Sequence, residues 1–237
     1  MIHFITFASE EFKTQNDHLF NQVDRNFEKF TSFTTYEPGF IETRYRDFYT
    51  NNIEIFRQKI GCGYWLWKPL IIHDTLKYGV SSKDDIFIYM DSGDFFITEK
   101  IPKFITFLND YFKDNDILLT PNVNNDPQKK WTKRDCFVLM GCDNPRFWNS
   151  AHLEAGFIAL KRTEANLEFI NKWIYYSTDK RILTDVTNEC GFPNFDEFKE
   201  HRHDQSILTN LCYKNGIKPT PLDGYIEFNA KTVMVSK

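Results

Sequence analysis

Short apolar runs alternate along this chain with polar stretches that carry helical spacing. Residues 2–8 read as a first buried strand that ends on small residues, where a ligand can approach the backbone. Residues 10–60 read as mainly helical and polar, with turn chemistry at Glu37-Pro38-Gly39. The segment Gly61-Cys62-Gly63-Tyr64-Trp65-Leu66-Trp67-Lys68-Pro69 follows. A helix is expected over 69–78, with Pro at its first position and Gly79 ending it. Ile86-Phe87-Ile88-Tyr89-Met90 then stands between Asp84-Asp85 and Asp91-Ser92-Gly93-Asp94. Such a run predicts a short strand buried on both faces, tipped with acids. Further helices are expected over 104–112, 163–176 and 204–213, and further strands over 116–120, 136–140 and 156–160. The polar loop 121–134 is longer than most connections and is marked as functional for that reason. Strands alternating with helices predict an α/β fold with a mostly parallel sheet, in one domain across 1–237.

Composition narrows the class. A net charge of −4 leaves no basic footprint, so nucleic acid is not an expected partner. Cys62, Cys136, Cys142, Cys190 and Cys212 are scattered and odd in number, which fits a reduced, cytosolic protein better than a disulfide framework or a zinc cage. No run approaches the roughly 20 apolar residues that a spanning helix needs, leaving only peripheral contact with a membrane open. The 24 phenylalanines supply both core and stacking material, and composition does not separate the two.

Acids at the tip of a buried strand sit at the carboxyl edge of an open α/β sheet, where ligands bind. A carboxylate there either holds a hard divalent cation or bonds a ribose hydroxyl; the plain alternative is an acidic turn. Gly61-x-Gly63 fails as a dinucleotide fingerprint, since it lacks the third Gly and the preceding strand. Its glycines suit a turn, and its aromatics a packing shelf. Lys68, near a helix start, suits a phosphate contact or a surface salt bridge. Asp204 suits an N-cap, a ligand contact, or both. Lys129-Lys130-Trp131-Thr132-Lys133-Arg134-Asp135 is either a solvated loop or a cover for a pyrophosphate or an acceptor.

Taken in order, Gly63-Tyr64-Trp65-Leu66-Trp67-Lys68-Pro69, Ile88-Tyr89-Met90-Asp91-Ser92-Gly93, Trp131-Thr132-Lys133-Arg134-Asp135 and His201-Arg202-His203-Asp204-Gln205-Ser206-Ile207 resemble GT-A glycosyltransferases. The likeness is to a microbial and large-DNA-virus group of such proteins, and more distantly to glycogenin-like enzymes. It implies a nucleotide-sugar donor, UDP-linked, a glycan or glycolipid acceptor, and Mn²⁺ or Mg²⁺. It further implies that Thr6, Phe7 and Ala8 cradle the nucleoside. Lys68, Asp91, Ser92, Gly93 and Gln205 would hold the rest of the donor. Asp91, Asp94 and His203 would hold the metal, with Gly93 standing where a DxD motif has its principal ligand. Asp204, Glu154 and Asp135 would be the candidate bases. Two rival readings stand beside it. One is a metal-dependent hydrolase on His201, His203 and Asp204; the other is a non-catalytic module stacking sugars on exposed Trp65, Trp67 and Trp131.

Overall fold

The computed structural model describes residues 1–27, 30–79, 82 and 84–228, and of Phe30 and Thr31 the backbone only. Five strands form the central sheet: β1 (Ile2–Phe7), β2 (Phe30–Tyr36), β3 (Ile86–Met90), β5 (Ile117–Pro121) and β6 (Leu153–Lys161), in the order β2-β1-β3-β6-β5. A second, two-stranded sheet pairs β4 (Phe95–Phe96) with β7 (Ile226–Glu227). Strands β2, β1 and β3 are mutually parallel, while β6 runs antiparallel to both β3 and β5. Four strands therefore point one way and β6 alone is reversed, so the sheet is mixed, with a parallel centre.

Alternation along each strand splits the core into two layers. On β3, Phe87 and Tyr89 face a layer with Leu70, Ile71, Phe169, Trp173 and Leu208 from three helices. Ile86, Ile88 and Met90 face the other layer, with Leu19, Phe104, Leu108 and Phe112. Much of the phenylalanine goes here: Phe4, Phe27 and Phe96 meet edge-on or tilted, as Phe104 does with Phe96 and Phe157. These rings are core material, each pair worth about 0.5–1.5 kcal/mol beyond its burial.

Two expected elements differ in kind, and the helix expected from 104 and the strand expected from 156 begin earlier, at Ile101 and Leu153. Strand β2 lies inside the stretch read as helical, of which residues 28 and 29 lie outside the described residues. Its alternating aromatic and β-branched residues, Phe-Thr-Ser-Phe-Thr-Thr-Tyr, favour a pleated edge over a helix. Residues 136–139 belong to a helix, Arg134–Leu139, with Met140 at its C-cap, because buried Cys136, Phe137 and Met140 follow helical spacing and a short apolar run reads either way. The helix expected from Pro69 begins earlier, at Trp67, and runs to Tyr78.

What precedes that helix is unusual. Gly61, Cys62, Gly63, Tyr64 and Trp65 all have φ between +51° and +95°, a complete left-handed turn. Each non-glycine residue in it carries about 1–2 kcal/mol of strain. Packing holds it: a Cβ on Gly63 would lie 2.8 Å from the Phe56 Cα, and the Trp67 indole N–H donates to the Gly61 carbonyl at 2.9 Å. The turn thus forms the expected shelf, with Tyr64 and Trp65 laid against the His203 ring at 4.7 and 5.7 Å between centroids.

Candidate active site

The reversed direction of β6 brings its first residues to the carboxyl edge, beside the end of β3. Met90 pairs with Phe157, and the Asp91 N–H donates to the Gly156 carbonyl at 2.8 Å. On its other side β6 bulges: Leu119 faces Ile158, but the next residue, Thr120, faces Glu154. Bulges of this kind re-aim backbone groups next to functional sites. Here the bulge turns the Ala155 carbonyl toward Lys68, whose Nζ donates to it at 3.2 Å.

Lys68 is the hub. Only 2% exposed, its ammonium lies 3.0 Å from Asp204 Oδ2 and 3.3 and 3.5 Å from Asp91 Oδ1 and Oδ2. It also sits 5.3 Å over the Tyr89 ring, a cation–π contact. Burial lowers its pKa, but Asp204 and Asp91 outweigh burial and hold it above the ordinary lysine value. Burial raises the pKa of Asp204, with Lys68 opposing. The geometry is that of a buried pair, so the surface salt bridge and the helix cap, the plain alternatives for these two residues, do not describe them. Asp204 makes no cap hydrogen bond; the helix His203–Lys214 has Arg202 at its N-cap.

Asp91 is a third exposed. Its Oδ1 also accepts from the Tyr89 hydroxyl. Tyr89 was missed from sequence, although residues i and i+2 of a strand share a face. After Asp91 the chain turns back, with the Asp94 N–H donating to the Asp91 carbonyl at 3.0 Å. Asp94 Oδ2 therefore lies 2.1 Å from where a Gly156 Cβ would stand, and Asp91 Oδ2 lies 3.5 Å from that point. The two carboxylates share one glycine-sized space and are separated by no more than the sum of those distances. Gly156→Ala is expected to drive the Asp94 carboxylate out of this space.

A pair of carboxylates fits Mg²⁺ or Mn²⁺, which binds through one or two of them and completes its sphere with water and phosphate. His203 does not join that pair. Its Nδ1–H donates to the Leu183 carbonyl at 2.9 Å, and its Nε2 faces Asp185 at 3.9 Å. Among the described residues no three His, Cys, Asp or Glu side chains converge as a metal cage. His201 accepts from the Lys133 N–H and bonds the Ile182 carbonyl, so both ring nitrogens are taken and burial keeps the ring neutral. The hydrolase reading lacks its ligands.

Glu154 lies beside this cluster. Burial first, and then the Asp91 charge, push its pKa up to about 7. Gln205 accepts from the Ala155 N–H at 3.4 Å and donates from Nε2 to His152 Nδ1 at 3.1 Å. Burial lowers the pKa of His152 to about 3, so it stays a neutral acceptor and fixes the glutamine amide. Ser92 is buried and Gly93 borders open space.

Thr6, Phe7 and Ala8 end β1 at the same carboxyl edge, since Ile5 pairs with Tyr89; their side chains are buried, and the Phe7 ring stacks on Trp67 at 3.7 Å. Asp135 is fully buried, and its oxygens accept from the Glu189 and Cys190 N–H groups. It clamps the long loop after Thr184 rather than joining the Lys68 cluster. Lys129, Lys130 and Arg134 pair with Glu197, Asp126 and Asp143, and Lys133 donates to the Thr184 and Val186 carbonyls. The basic loop is therefore a fastening. Lys199 and Arg202 each lie over the Trp131 ring, Trp65 stacks on His203 and Trp67 is 5% exposed, so these three tryptophans are engaged within the fold rather than arrayed as an open platform.

No family model and no curated protein sequence matches the chain. Among solved structures, it is similar to apo mouse xyloside xylosyltransferase 1, with 10% identity over 94% of this chain and 86% of that one and a TM-score of 0.52. It is also similar to the galactosyltransferase LgtC in complex with donor and acceptor sugar analogues, with 13% identity over 88% of this chain and 70% of that one and a TM-score of 0.46. At such identity the likeness to the xylosyltransferase speaks to fold alone: the chain has an α/β, GT-A-like architecture.

Proposed function

We propose that this protein is a glycosyltransferase that moves a sugar from a nucleoside diphosphate donor, UDP-linked, to a hydroxyl of a glycan or glycolipid precursor. The observation that carries the reading is the convergence of Lys68, Asp91, Asp94 and Asp204 at the carboxyl edge of the sheet. That edge is where open α/β sheets bind ligands. The architecture shared with a sugar-transferring enzyme supports the same reading.

The chemistry requires charge stabilisation on the departing diphosphate. Lys68 supplies a fixed ammonium there. Asp91 and Asp94 would hold Mn²⁺ or Mg²⁺, which when bound neutralises phosphate charge. Gln205, oriented by His152, faces the donor sugar. Glu154 takes the proton from the acceptor hydroxyl, because its pKa near 7 matches that task. No described helix is long and apolar enough to cross a membrane, so an acceptor on a lipid carrier would be met at the surface.

A thermal-shift panel of UDP, GDP, CMP and dTDP sugars, each with and without Mn²⁺, tests the reading. Stabilisation by a UDP-sugar that needs the metal is expected, followed by transfer to a sugar acceptor. No stabilisation by any donor would refute it.

The Glu154 role has its own readout. With a carboxyl pKa near 7, kcat/KM rises through that value as the base deprotonates and is level above it. Glu154→Gln should remove the rise together with most of the activity. The sign for stability is opposite. Between 4.5, the ordinary glutamate value, and about 7, the folded state keeps a proton that the unfolded state has released. Stability is thereby lost as pH rises through that window. Melting temperatures of wild type and E154Q at pH 5 and pH 8 should converge at the lower value and separate at the higher, with E154Q the more stable.

A further inference from the structure

In this structure the Lys68 ammonium lies almost equidistant from the two Asp91 oxygens, as a bidentate cation would. We infer that Lys68 is a built-in counter-ion that keeps a divalent cation off Asp91 until a nucleoside diphosphate arrives. The inference rests on the nucleotide-sugar reading and adds an order of binding to it.

Four observations carry it. Lys68 is buried, donates to Asp91 and the Ala155 carbonyl and is ion-paired with Asp204, so it is held and not swinging in solvent. One Asp91 oxygen also accepts from the Tyr89 hydroxyl, which occupies a lone pair that a cation would use. Asp204, at 3.0 Å, is the nearer of the two carboxylate partners and keeps the ammonium anchored when Asp91 lets go. Finally, the helix Trp67–Tyr78 that bears Lys68 starts from the strained Gly61–Trp65 turn, so its first residues are fixed by packing rather than free to drift.

The consequence is electrostatic. A free divalent cation approaching Asp91 meets an ammonium already in place 3.3 Å from its carboxylate, and like charges at this range repel. A diphosphate offers the ammonium new oxygens. As Lys68 turns to them, Asp91 is released beside Asp94, and cation and phosphate become seated together. Metal and nucleotide then bind as linked ligands, each tightening the other by the same factor. The device would suit an enzyme that must not be trapped by free cation.

The test uses Mn²⁺ and UDP as probes, with binding read by calorimetry and by the Mn²⁺ paramagnetic resonance signal. The variant is K68M/D204N, which removes one positive and one negative charge and so leaves the net charge of the site unchanged. Any change in its Mn²⁺ affinity reports the release of Asp91. The double variant is expected to bind Mn²⁺ without UDP about tenfold more tightly than wild type, and the factor by which UDP tightens Mn²⁺ should shrink correspondingly. A second variant, D204N, leaves Asp91 as the only carboxylate partner of Lys68, and its binding of free Mn²⁺ should weaken. Folding of both is checked by thermal melting. Equal or weaker binding of free Mn²⁺ by folded K68M/D204N, with UDP still bound by wild type, overturns the inference, as does unchanged binding by D204N. Failure of wild type to bind UDP with or without Mn²⁺ instead overturns the glycosyltransferase reading on which it rests.

Discussion

Asp91→Asn is expected to lower turnover of the nucleotide-sugar donor by about a hundredfold or more while leaving the fold in place. Asn keeps the shape of the side chain, and its single amide oxygen can still accept from the Tyr89 hydroxyl. What it loses is the negative charge that faces Lys68 at 3.3 and 3.5 Å and, with Asp94, would hold a cation. Because the Asp91 side chain is a third exposed, that charge contributes little to stability, on the order of 1 kcal/mol or less. Steady-state kinetics and a urea melt on the same preparation separate the two effects. A variant that turns over normally removes Asp91 from the chemistry.

Lys68→Met should behave differently. The lysine is 2% exposed and its partner Asp204 is 4% exposed, so removing the ammonium leaves a carboxylate buried without its counter-charge. Breaking a buried pair in this way costs about 3–5 kcal/mol, whereas removing both partners costs much less. Lys68→Met alone is therefore expected to melt far below wild type, and adding Asp204→Asn should recover more than half of the difference. Activity should stay lost in both, since neither restores a positive charge for the diphosphate. Equal stability of the single and double variants in denaturant would show that the pair is not coupled as its geometry implies.

The two predictions also mark what the sequence can and cannot disclose. Asp91 was legible because five apolar residues followed by acids encode a strand and its tip. The strand does not say which residues come to meet that tip. Glu154 and Ala155-Gly156 reach it because β6 runs backwards beside β3 and bulges against β5, and a reversal of direction leaves no local signature. Lys68 stands out in sequence as suited to a phosphate contact or a surface salt bridge, but its burial is not legible there, since it depends on partners 23 and 136 positions away.

Packing around other expected residues is equally hidden. The resemblance makes Asp135 a candidate base, and only the fold reveals that it receives the backbone of a loop 54 and 55 residues later. The resemblance assigns Phe7 to a nucleoside cradle, and the end of a strand does not disclose that Trp67, from another element, stacks on its ring. The glycines at 61 and 63 announced a turn. That Tyr64 and Trp65 would share its left-handed conformation could not be read, because L-residues ordinarily avoid that region.

A crystal structure of the protein grown with UDP and Mn²⁺ bears most directly on these proposals. The account predicts the diphosphate at the end of β3, its oxygens within hydrogen-bond reach of the Lys68 ammonium, and the cation resting on Asp91 and Asp94. A nucleotide bound on another face, with Lys68 still closed between Asp91 and Asp204, would contradict it.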